Sequence, residues 1–126
     1  MACKTPDSTD KTKENSAEGY FLVVSTDTMG KDADIGAVLM KGFFETMNAT
    51  GEVPGSIFFL NAGVRLTTIN EDIYPVLMEI EKKGVEMFSC GTCLKHYGLE
   101  GSLKAGNRGS TDILIGSITD QRVVWI

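Results

Sequence analysis

Apolar positions first gather at Tyr20–Ser25, "YFLVVS", a run without alternation. Such a run, with two valines in it, marks a strand buried on both faces. A turn-rich stretch, "TDTMGKDAD", separates it from Ile35–Asn48. There the period changes. Ile35, Leu39, Phe43 and Met47 fall on one helical face, and Val38, Met40 and Phe44 widen the stripe. Asp32 or Asp34 is placed to cap this helix. "ATGEVPG" breaks it, and "SIFFLN" (Ser56–Asn61) gives a second buried strand. "AGVRLTTIN" reads as a loop. Ile73, Val76, Leu77 and Ile80 return to helical spacing, ending near Lys83 and Gly84. Pro75 is tolerated only in a first turn, which puts the start near Asp72.

The third strand is "VEMFSC", Val85–Cys90. "GTCLKHY" follows as a short helix ending at Gly98. An irregular stretch has room for a short fourth strand around Leu103–Ala105. "STDILIGSI" reads as a helix with Ser110 as its cap, and "RVVWI" as the last strand. Strands alternating with helices predict an α/β domain: three layers, α/β/α, around a mostly parallel sheet of about five strands, as in flavodoxin-like architectures.

Residues 1–19 differ from all of this. They are polar and of mixed charge, with too little apolar content to offset the entropy of ordering. The expectation is a disordered tail or linker remnant, with Cys3 idle in it, ahead of one domain over residues 20–126. The chain of 126 residues needs no staples to fold. Three cysteines are too few for a secreted disulfide framework, and no signal peptide or run of 18 apolar residues exists. A cytoplasmic protein is expected, with no membrane partner. A net charge of −5 without a dense basic stripe argues against nucleic acid.

In parallel α/β sheets, ligands bind beyond the carboxyl ends of the strands. Three loops leave those ends. The first carries Asp27, Thr28, Met29 and Gly30; the second carries Asn61, Gly63 and Arg65; the third carries Cys90, Gly91, Thr92 and Cys93. They should converge on one edge of the sheet. Two cysteines at a strand-to-helix turn are suited to disulfide exchange or to carrying a persulfide, because free N–H groups there stabilise a thiolate. The plain alternative is packing, since a buried cysteine is usually a small hydrophobe. Cys90, Cys93 and His96 offer three zinc ligands where a closed site wants four, so no metal is expected. Asn61 serves either a ligand or its own turn. Neither a P-loop nor a dinucleotide fingerprint is present, and no cofactor is called for.

The segments "MGKDADIGAVLMKGFFETM", "FFLNAGVRLTT" and "FSCGTCLKHYGL" together resemble the DsrE/DsrF-like family. Within it they are most similar to the C-terminal domain of YedF, the sulfurtransferase-like selenium metabolism protein. The resemblance spans about residues 19–126. It implies a DsrE-like fold and a homo-oligomer. It also implies that Cys90, at the position of the sulfur-relay cysteine, accepts sulfur as a persulfide, and that Cys93 releases or resolves it. YedF proteins usually begin with a TusA-like domain carrying its own cysteine. Here only the polar tail stands there, so a separate TusA-like sulfur carrier is the implied partner.

The expectation is therefore a small sulfur-handling protein, a persulfide carrier or sulfurtransferase-like, with a possible link to selenium. Cys90 and Cys93 would do the chemistry, and Met29, Gly30, Asn61, Gly63, Gly91 and Thr92 would shape the pocket. Two competitors stand beside it. One is a thiol–disulfide redox protein using the same pair. The other is a non-catalytic oligomeric binding module with inert cysteines.

Overall fold

The computed structural model describes residues 19–126; the polar tail expected over 1–19, with Cys3, lies outside the described residues except for Gly19. Five strands form one sheet in the order β4-β3-β2-β1-β5, every pair parallel. They are β1 (Phe21–Val24), β2 (Ser56–Phe59), β3 (Glu86–Cys90), β4 (Asn107–Gly109) and β5 (Val123–Trp125). The helices are α1 (Ala33–Thr50), α2 (Tyr74–Lys82), α3 (Gly91–His96) and α4 (Thr111–Asp120).

The handedness of parallel crossovers explains the layers. From β1 to β4 the chain steps one place at a time in one direction, so right-handed connections put α1, α2 and α3 on one face. From β4 it returns across the whole sheet to β5. A right-handed return puts α4 on the other face. The side chains record this. Leu22, Val24, Ile57, Phe59 and Met87 point into a core with Met40, Phe44, Leu77, Ile80 and Leu94. The alternate positions Phe21, Val23 and Phe58 pack with Phe88, Ile113 and Leu114. The first core is much the larger.

Four details depart from the expected pattern. The buried stripe of α1 is Gly36, Met40, Phe44 and Met47. Ile35, Val38 and Leu39 instead stand 52%, 64% and 48% exposed. Gly36 explains the rotation. A Cβ there would come within 2.6 Å of the Met29 carbonyl oxygen, so only a glycine lets α1 close on the preceding turn. The Met29 N–H donates to the Gly36 carbonyl at 3.0 Å across that contact.

Second, β4 lies at Asn107–Gly109, not around Leu103–Ala105. Ala105 is buried in the core, and Gly106, at φ +73°, turns the chain into the strand against the Met87 backbone. Third, the stretch after β2 is ordered rather than a plain loop. A 3-10 helix spans Asn61–Arg65, and the buried hydroxyls of Thr67 and Thr68 donate back to the Val64 carbonyl. Fourth, Ser110 occupies the cap position of α4, but its hydroxyl bonds the Asp112 carboxylate rather than a backbone N–H.

Candidate functional site

Cys90 is the last residue of β3 and the cap residue of α3, and its Sγ accepts the Cys93 N–H at 3.4 Å. A cap needs an acceptor one turn ahead of its donor, so the C-x-x-C spacing itself makes this contact. Both thiols are free and half-buried. The strand end beneath them is pinned: the Ser89 hydroxyl, buried, meets the Thr67 hydroxyl at 2.8 Å. Leu94 anchors α3 in the larger core.

The two sulfurs face different company. Cys93 Sγ accepts the Asn61 N–H at 3.0 Å. Asn61 sits at φ +53°, a left-handed conformation that asparagine tolerates better than most residues. The Tyr97 hydroxyl donates to Asn61 Oδ1 at 3.2 Å. The Arg65 guanidinium lies over the Tyr97 ring, 4.6 Å from its centre, and reaches Asp27 at 3.2 Å. Asp27, Arg65 and the thiol pair come from the three loops, which do converge at the carboxyl edge. Burial, then the hydrogen bond with the Cys90 thiol, push the Cys93 thiol above its ordinary range; the Asn61 N–H works in the opposite direction.

Cys90 lines a cavity of about 330 Å³ together with Gly91, Thr92, Arg108, Ser110 and Thr111. Its position follows from topology. The connection leaving β3 goes to α3 on one face, and that leaving the adjacent β4 goes to α4 on the other. Between two such strands the diverging connections leave a crevice, where open α/β sheets bind ligands.

The candidate residues thus divide. Cys90, Gly91 and Thr92 line the crevice, and Asn61 holds Cys93. Gly63 is buried against β1, where a Cβ would collide with the Val24 carbonyl oxygen; it allows a close approach of backbone. Met29 lines a different depression of about 650 Å³ with Tyr20, Leu39 and Phe43. Gly30, at φ +85°, is an exposed turn residue. Neither Met29 nor Gly30 lines the crevice. His96 stacks edge-on against Tyr97 at 4.9 Å, and no three His, Cys, Asp or Glu side chains form a metal-binding group among the described residues. Sequence reasoning missed Arg108, because placing β4 too early left it in an irregular loop, and it read Ser110 only as a helix cap, not as a wall of the crevice. It also missed Tyr97, which only the fold brings to Asn61.

No protein-family model matches the sequence, and no curated protein matches it. Solved structures do match. The ychN protein from E. coli superposes with a TM-score of 0.61 at 13% identity, covering 86% of this chain and 99% of that one. BT1422 from Bacteroides thetaiotaomicron, a conserved protein of unknown function, gives 0.58 at 15% identity over 88% of this chain and 97% of its own. MTH1491 from Methanobacterium thermoautotrophicum, also of unknown function, gives 0.61 at 14% identity over 85% and 97%. The likeness is one of fold: a three-layer α/β/α domain.

Proposed function

We propose that this chain handles sulfane sulfur, with Cys90 as the persulfide-carrying thiol and Cys93 as its partner. One observation carries the reading. Cys90 opens onto the crevice at the switch point of the sheet, with a second free thiol one helical turn behind it. In loading, Cys90 Sγ attacks the outer sulfur of a donor R–S–SH. The donor S–S bond breaks, a new S–S bond forms at Cys90, and R–SH leaves with the proton. Discharge to an acceptor thiol reverses these roles. Cys93 can instead attack the inner sulfur, closing a Cys90–Cys93 disulfide and releasing hydrogen sulfide. The resemblance to the YedF branch adds a TusA-like carrier protein as the donor partner, a reducing cytoplasmic setting and a link to selenium. The exposed apolar residues Ile35, Val38 and Leu39 on α1 support a homo-oligomer.

The test is intact mass after exposure of the reduced protein to polysulfide. Cys93→Ser is expected to gain sulfur and Cys90→Ser to gain none; the wild type gains sulfur or, where Cys93 resolves the persulfide, loses two hydrogens as the disulfide closes. Equal gain in Cys90→Ser and Cys93→Ser, or no gain in Cys93→Ser, would reject the carrier assignment. A thiol–disulfide redox role is the second reading, favoured by the direct Cys90–Cys93 contact. It requires both cysteines for activity, whereas carriage requires only Cys90.

A further inference from the structure

We infer that the crevice beside Cys90 selects small sulfur donors whose non-transferred part bears an oxyanion, a carboxylate or sulfonate, and that Arg108 recognises it. This rests on the persulfide reading for the chemistry, but the selectivity stands on its own geometry.

Of the three arginines, Arg65 pairs with Asp27 and Tyr97, and Arg122 lies over Tyr20. Arg108 has neither a carboxylate nor an aromatic partner among the described residues. Its place is nevertheless defined. In the parallel register Arg108 is opposite Ser89, one residue before Cys90. Its guanidinium lies over the Cα of Gly91. The three atoms nearest a Cβ built at Gly91 are its Nε, Cζ and Nη2, with Cζ at 3.0 Å. Glycine immediately after the thiol therefore makes room for the cation.

The same cavity holds both groups. Thr92, Ser110 and Thr111 line it too, and none of its lining residues is acidic. The nearby Asp112 carboxylate is engaged by the Ser110 hydroxyl and by backbone N–H groups. A fixed-geometry cation with five donors beside a nucleophilic thiol, in a molecule of net charge −5, favours a planar or tetrahedral oxyanion on the incoming reagent. In the transfer, the donor sulfane sulfur bonds to Cys90 Sγ as its own S–S bond breaks. The fragment that leaves as a thiol is the one bearing the oxyanion, so Arg108 holds the donor by the part that departs.

Alkylation rates read this directly. Iodoacetate, an anion, and iodoacetamide, its neutral counterpart, are compared at Cys90 in the Cys93→Ser protein and on free cysteine. At Cys90 the iodoacetate-to-iodoacetamide ratio is expected to exceed that of free cysteine about tenfold, as a charge-assisted contact implies. Acetate or methanesulfonate should suppress the iodoacetate reaction, the more effective one naming the oxyanion. Arg108→Gln, a change at an exposed site, should bring the ratio to that of free cysteine or below. Gly91→Ala should lower it as well, since its methyl displaces only the end of a flexible side chain. A wild-type-background ratio no higher than that of free cysteine, an unchanged ratio in Arg108→Gln, or competition by neither anion would overturn the inference. Failure of polysulfide loading, with the ratio intact, would instead sink the persulfide reading alone.

Discussion

At the residue scale, the thiols differ because their surroundings do. Cys90 caps a helix and borders the crevice; Cys93 is packed towards the larger core and bonded by Asn61. The raised Cys93 pKa has a definite sign. The neutral thiol persists to higher pH than in a free cysteine, so Cys93 attack should switch on later as pH rises. Alkylation of Cys93 followed against pH should show a midpoint above the ordinary value of about 8.5. In Cys90→Ser that midpoint should fall, since one of its raising contacts goes, but not fully, since burial remains; a midpoint at or below 8.5 in the wild type would contradict the account. Gly63 makes a second residue-level test. Gly63→Ala drives a methyl against the Val24 carbonyl, a rigid neighbour, and should cost about 1–3 kcal/mol in denaturant unfolding. A neutral effect would mean that the β2 loop yields freely.

At the element scale, α3 carries the site although it is only a turn and a half long. Such a helix has little stability of its own and depends on tertiary anchoring. Leu94 supplies that anchor, fully within the core. Leu94→Ala should cost about 2–5 kcal/mol and raise hydrogen exchange across Gly91–His96 before the rest of the sheet. Exchange that rises uniformly would instead make α3 part of the global unit. This scale also shows what the chain revealed in advance. β1 and β2 were legible because buried parallel strands read as nearly continuous apolar runs, β3 because Val85, Met87 and Phe88 mark it despite Glu86 and Ser89, and α3 because the Gly-x-Cys turn follows that strand. The Met29 and Gly30 assignment failed to reach the crevice because a loop leaving a strand end can fold away from it. β4 was misplaced because "NRG" has no apolar signature; its pairing depends on glycines that admit the Met87 backbone and the Phe88 side chain. The α1 face was misread because four apolar positions per turn-pair fit two overlapping stripes, and a single contact at Gly36 chooses between them.

At the scale of the whole molecule, the sheet is covered unevenly. Three helices cover one face and only α4 the other, and α4 contributes no fully buried residue. Trp125 and Ile115 stay exposed there, while Val124, in register with Leu22 and so on the opposite face, is exposed on the side of α1, as are Ile35, Val38 and Leu39. If the proposed homo-oligomer uses the α1 face, Leu39→Glu should lower the mass seen by light scattering while leaving Cys90 loading unchanged. An unchanged mass would move the interface elsewhere. The fold shared with ychN, BT1422 and MTH1491 places the thiol pair at the sheet edge but does not define its chemistry; that rests on sulfur, and on which atom takes it up. The most direct measurement is peptide-level mass spectrometry of the polysulfide-treated Cys93→Ser protein, alkylated to trap persulfides. The account expects the extra sulfur on the peptide containing Cys90. Finding it elsewhere, or finding Cys90 unmodified, would contradict the central assignment.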